Sequence, residues 1–233
     1  MHALARTGYY GKLPSNGDFV SRTLTRSFID PWDTWLQAAV SDSRARLGAD
    51  WLDLYLTTPI WRFVLAPDVC GVHAYMGLLM PSVDRVGRYF PLTIAAILPA
   101  ESNPIRAALE AQAWFEEAER LALSALDDAF ERAAFDLGVD ELEIPLTEAT
   151  QGRSAAATTR HWRVGLPDGG QFGQAFAELL PLVMTKGELG YSLWWSRGSE
   201  DVEPSLLSSP GLPPPERYGA LLDGCWSAWG WDG

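Results

Sequence analysis

Histidine and cysteine are scarce in this chain, and that scarcity removes whole classes of chemistry. Only His2, His73 and His161 occur, none at H-x-x-x-H spacing, and Cys70 and Cys225 form no C-x-x-C pair. A zinc site needs three or four such ligands at close spacing, so no metal is expected. Two distant thiols fall short of a disulfide framework and point to a reducing compartment, the cytoplasm. No apolar run approaches the roughly 18 residues of a membrane-spanning helix. The opening "MHALARTGYYGKL" lacks the apolar core of a secretory signal, so no membrane insertion or export is expected. Basic residues are also in deficit, with 18 Lys and Arg against 30 Asp and Glu and a net charge of −12. That balance argues against a nucleic-acid or anionic-lipid surface. Neither the G-x-S-x-G elbow nor the G-x-G-x-x-G fingerprint is present, so no nucleotide cofactor is expected.

What is present is a chain of 233 residues with 47% apolar composition and eleven tryptophans. That length suffices to bury a sizeable core, and a single domain over 1–233 is expected. Large rings supply core area at low entropic cost, and they also mark interfaces. Charge is uneven: Glu101 to Thr150 carries thirteen acids against three arginines. Within it, Glu116, Glu117 and Glu119 read as a solvated helix face.

"RTGYYGKL" reads as a strand and "PSNG" as the turn that ends it. "SFIDPWDTWLQAAVSDSRARLG" reads as a helix with Asp30 as its cap, Pro31 in its first turn, and Trp32, Trp35, Leu36, Ala39 and Val40 on its inner face. "WLDLYLTT" suggests a short helix, and "PIWRFVLAP", "GVHAYMGLLMP" and "YFPLTIAAILP" three buried strands, with His73 a core histidine within one of them. Their near-continuous apolarity calls for cover on both faces. "NPIRAALEAQAWFEEAERLALSALDDAFERAAFDLG" reads as one long helix whose inner stripe runs from Ala111 through Phe115, Ala118, Ala122, Leu126, Phe130 and Ala133 to Leu137. Residues 149–160 read as a flexible linker, "HWRVGLP" and "GYSLWWSRG" as strands, "GQAFAELLPLVMTKG" as a helix and "PPPERYGALLDG" as a short final helix. The fold class expected is α/β: a layered sandwich with a mixed sheet covered by helices on both faces.

Two loops carry the concentrated polar chemistry. "GKLPSNGDFV" resembles a phosphate cradle only superficially. Gly11-Lys12 is followed by Leu13-Pro14, and Pro14 removes a donor where a cradle needs one. "PSVDRVGRYFPL" packs Asp84, Arg85 and Arg88 around Gly87 between two buried strands. It suits either a turn braced by an Asp–Arg pair or an arginine pair offered to an anionic group of a partner. In "SLWWSRG", Trp194 and Trp195 must point to opposite sides of a strand, one to the core and the other to a covering helix or an interface. The partner-binding candidates are Lys12, Asp18, Asp84, Arg85, Arg88, Trp194 and Trp195.

"GYYGKLPSNGDFV", "FIDPWDTWLQ", "PIWRFVL", "GLLMPSVDRVGRYFPL" and "SLWWSRG" occur in that order, and together they resemble the TagF (ImpM) family, accessory proteins of bacterial type VI secretion. The likeness runs from about Gly8 to the Trp194 region and is densest before Leu98. It implies a compact α/β sandwich and a post-translational repressor, not an enzyme. The repressor would bind a forkhead-associated-domain scaffold protein and block assembly. Some members are fused to a metal-dependent serine/threonine phosphatase domain; this chain has no room for one, so a phosphatase partner would act in trans. The family supplies no catalytic residues to carry over. Two other readings stay open: a hydrolase assembled from Asp18, Asp84 and His73, and a structural subunit of the secretion machine.

Overall fold

Eight strands form one sheet in a computed structural model that describes residues 6–100, 102, 104–144, 162–165 and 190–232. The strands are β1 (Thr7–Gly11), β2 (Val20–Arg22), β3 (Trp61–Leu65), β4 (Tyr75–Met80), β5 (Leu92–Ile97), β6 (Trp162–Gly165), β7 (Tyr191–Ser196) and β8 (Ser205–Pro210). Their spatial order is β2-β1-β5-β4-β3-β7-β8-β6. Helices α1 (Arg26–Leu47), α2 (Trp51–Thr57) and α6 (Ala220–Asp223) lie over one face. Helices α3 (Pro104–Glu110), α4 (Gln112–Ser124) and α5 (Arg132–Asp140) lie over the other.

The layered α/β architecture is as read from the sequence, but the strand directions are not mixed. Every pair described is antiparallel. Burial on both faces follows from the pleat. Trp61, Phe63 and Leu65 of β3 pack under α1 and α2, while Val64 packs under the α3–α5 layer. Trp194 and Trp195 divide the same way, and both are buried. Neither offers surface to a partner, which corrects their candidacy as interface anchors. Ten of the eleven tryptophans, all but Trp162, have described side chains, and all ten are buried. Trp32 is central. Its ring stacks on Trp194 with 4° between planes at 5.8 Å, lies 4.8 Å from Phe63, and its indole N–H donates to Thr93 Oγ1 at 2.9 Å.

Several local boundaries differ from the sequence pattern for identifiable reasons. Helix α1 begins after Thr25, so Asp30 is not its cap and Pro31 lies inside it. The additional turn is held by burial of Phe28, whose ring sits 4.5 Å from Tyr75 and 5.3 Å from Trp32. Packing here outweighs the one backbone bond that proline forgoes. The long helix expected after Pro104 is three. Ala111 leaves helical geometry (φ −86°, ψ 22°), and beyond Ser124 the chain tightens into three-residue turns through Ala125 and Leu126. The stripe is therefore interrupted: Leu126, Ala133 and Leu137 are exposed, and Phe135 and Val139 take the inner positions. The acidic run on α4 is not wholly a solvated face. Glu119 Oε1 accepts from Nε of the buried Arg62 at 2.6 Å, and Gln112 Oε1 accepts from its Nη1 at 3.0 Å.

His73 lies in a bend before β4, half-buried, and not within the strand. The nearby thiol of Cys70 is buried, which pushes its pKa up to about 12, whereas Cys225 is exposed. The linker at 149–160 and the helix read in 173–187 fall outside the described residues.

Candidate functional site

The two polar loops converge at one end of the sheet. The first leaves β1 and returns as β2; the second joins β4 to β5, and β5 pairs with β1. Antiparallel pairing therefore puts both loops side by side, and a buried ion pair locks them. Lys12 Nζ donates to Asp84 Oδ2, with 4% and 0% of the two side chains exposed. Asp84 also closes its own loop. Its Oδ1 accepts the backbone N–H groups of Val86 at 3.0 Å and Arg88 at 2.9 Å, and its Oδ2 accepts Arg88 Nε at 2.7 Å. Gly87 takes the left-handed conformation this turn demands (φ 85°). The Asp–Arg brace anticipated in "PSVDRVGR" is thus formed.

Further bonds stitch the loops together. Arg85 N–H donates to Asn16 O at 3.0 Å, Arg88 Nη2 donates to Gly17 O, and Ser82 Oγ donates to Lys12 O at 2.8 Å. Ser82 is held in turn by Tyr55 of α2, whose hydroxyl donates to Ser82 O and accepts from its N–H. An aromatic bracket closes the end: Phe19 stacks on Tyr10 at 5.7 Å, meets Phe90 edge-on at 4.8 Å, and carries the Lys12 ammonium 4.5 Å above its ring.

Burial by itself would push the Asp84 carboxyl up. The Lys12 ammonium, the Arg88 backbone and guanidinium and the Val86 N–H outweigh it and hold the carboxyl well below its usual range. A lowered folded-state value has one sign for stability. The contribution is complete above about pH 4, the unfolded value, and is lost as the pH falls toward the folded value. Asp84→Asn is expected to be less stable than the parent at neutral pH, with the difference shrinking below pH 4. Urea midpoints measured across pH 2–7 check this; a constant offset at all pH values would refute it.

The candidate residues separate into two groups. Lys12 and Asp84 are interior and brace the loops. Asp18, Arg85 and Arg88 are displayed outside: the Asp18 side chain is 99% exposed and that of Arg88 57%. Among the described residues the Arg85 guanidinium makes no hydrogen bond or ion pair, although its backbone is fixed. Val86 (64% exposed) and Phe19 (47%) add apolar surface between the charges, and pattern reading missed both because isolated apolar loop residues carry no periodic signal. The Asp18, Asp84 and His73 constellation is not assembled. His73 precedes β4 and Asp84 follows it, so a six-residue strand, roughly 20 Å, separates them. Asp84 already has four donors. Among the described residues, no three His, Cys, Asp or Glu side chains are grouped to hold a metal ion. No described helix is long and apolar enough to cross a membrane.

Comparison with known proteins agrees with this architecture. The family model described as the TagF N-terminal domain, type VI secretion system-associated, matches residues 8–142, which include both loops and all of α3–α5. The crystal structure of PA0076 from Pseudomonas aeruginosa PAO1 is similar at 39% identity and a TM-score of 0.75, with 94% of each chain covered. The comparison with curated proteins returns no match. The chain belongs to the TagF family of type VI secretion system-associated proteins.

Proposed function

We propose that the protein is a post-translational negative regulator of type VI secretion. It works in the cytoplasm by stoichiometric capture of a forkhead-associated-domain scaffold protein, with no reaction of its own, and keeps that scaffold out of the assembling apparatus. The observation that supports this reading is the braced double loop. It spends buried charge on rigidity and displays Arg85, Arg88, Asp18, Phe19 and Val86 on one surface. Rigid display lowers the entropy lost on docking, and arginine beside apolar surface is the usual composition of an interface centre. A serine/threonine phosphatase would join from a separate chain.

Arg85→Ala is the cleanest test, because among the described residues that guanidinium makes no hydrogen bond or ion pair. Calorimetric titration of the scaffold protein should show binding weakened on the order of tenfold, with the unfolding midpoint unchanged. Binding as tight as the parent's would remove the double loop from the contact. Purified secretion apparatus that contains the protein at fixed stoichiometry would replace the repressor reading with that of a structural subunit.

A further inference from the structure

A second surface lies between α4 and α5, on the opposite helical layer from α1. The turn joining these helices leaves an open groove of about 490 Å³. Its floor is apolar: Leu121, Phe130 and Phe135, with the two phenylalanine rings edge-on at 5.6 Å. The helices close at one point, where Gly138 faces Leu121; a Cβ there would stand 2.5 Å from Leu121 Cδ2. Leu137 lines the groove with 58% of its surface exposed. An exposed aliphatic side chain over an apolar floor is costly to leave in water, and apolar surface with a polar rim marks protein contacts.

The rim decides what fits. Asp127, Glu131 and Glu141 line it, and all three are exposed. Among the described residues the one cation lining it is Arg120, whose Nε and Nη2 both donate to Glu117 at 2.8 and 2.5 Å. An apolar trough with an uncompensated acidic edge is complementary to a helix bearing aliphatic anchors flanked by lysine or arginine. We propose that this groove docks a basic amphipathic helix of a partner protein. The contact is separate from the double loop and does not depend on its role.

Two synthetic peptides of equal length serve as probes, one with leucine and lysine at helical spacing and one with leucine and glutamate. Titration into the full chain, followed by fluorescence anisotropy at moderate salt, should show saturable one-to-one binding of the lysine peptide and none of the glutamate peptide. Leu137→Ser and the pair Asp127→Lys, Glu141→Lys alter only exposed side chains; each should weaken binding on the order of tenfold. Arg85→Ala should leave it unchanged. Equal binding of both peptides, no saturation, or binding indifferent to the groove variants would overturn the proposal, the last revealing diffuse attraction to an acidic chain. Sedimentation showing a dimer that Leu137→Ser dissolves would also overturn it, since a second copy would then fill the groove.

Discussion

Replacing Lys12 with methionine is expected to lower stability by about 3 kcal/mol, because a buried carboxylate loses its buried cation. For a chain of this length that corresponds to a fall of roughly 10 °C in the unfolding midpoint. The consequence extends to the surface. Asp84 holds Arg88 through its Nε and its backbone N–H, and Val86 through its backbone N–H, so a displaced Asp84 frees the exposed arginines of the second loop. If the double loop captures a scaffold protein as proposed, Lys12→Met should therefore weaken that binding, although Lys12 is buried. Adding Asp84→Asn should recover part of the lost stability, since the pair then leaves no buried charge, and the cycle measures their coupling. Thermal unfolding by circular dichroism reads the three variants. If the single and double variants lie on simple sums, the two side chains are not coupled and the brace is misassigned.

Gly77→Ala is the second large effect, and it concerns the core. Gly77 faces Phe63 across β3–β4 and Ala95 across β4–β5. A methyl group there would lie 2.5 Å from Phe63 Cζ and 2.6 Å from the Ile94 carbonyl oxygen. The carbonyl belongs to the neighbouring strand and cannot retreat without distorting the sheet. Phe63 cannot retreat either, being 4.8 Å from Trp32 and 5.1 Å from Trp194. The expected loss is about 3 kcal/mol, the upper end for overpacking. Gly87→Ala gives the contrast: its Cβ would meet nothing within 4 Å, so only backbone strain of about 1 kcal/mol opposes it. Equal midpoints for the two variants would refute this account.

The strands and the first two helices were legible because their apolar patterns are long and are bounded by proline and glycine. Strand direction was misread as mixed, because apolar pattern alone does not encode it. Continuous apolarity is common to any sheet covered on both faces, but β3, β4 and β5 are joined without intervening helices, and parallel neighbours need a crossover. Strand β8 was missed because "SLLSSP" carries four polar or breaking residues, although all but Pro210 are buried. Chain reversal after Ser124 was masked by leucines that keep helical spacing in sequence while facing water in space. At the site, both loops stood out by composition. Burial of Lys12 and Asp84 did not, because the partners lie 72 residues apart and only the β1–β5 pairing brings them together.

The contrast between the two cysteines has a practical bearing on oxidation. Cys70 is sealed beneath the sheet and protonated, while Cys225 stands in solvent. The folded chain thus has one thiol open to an oxidant, and a disulfide formed without unfolding joins two molecules tail to tail.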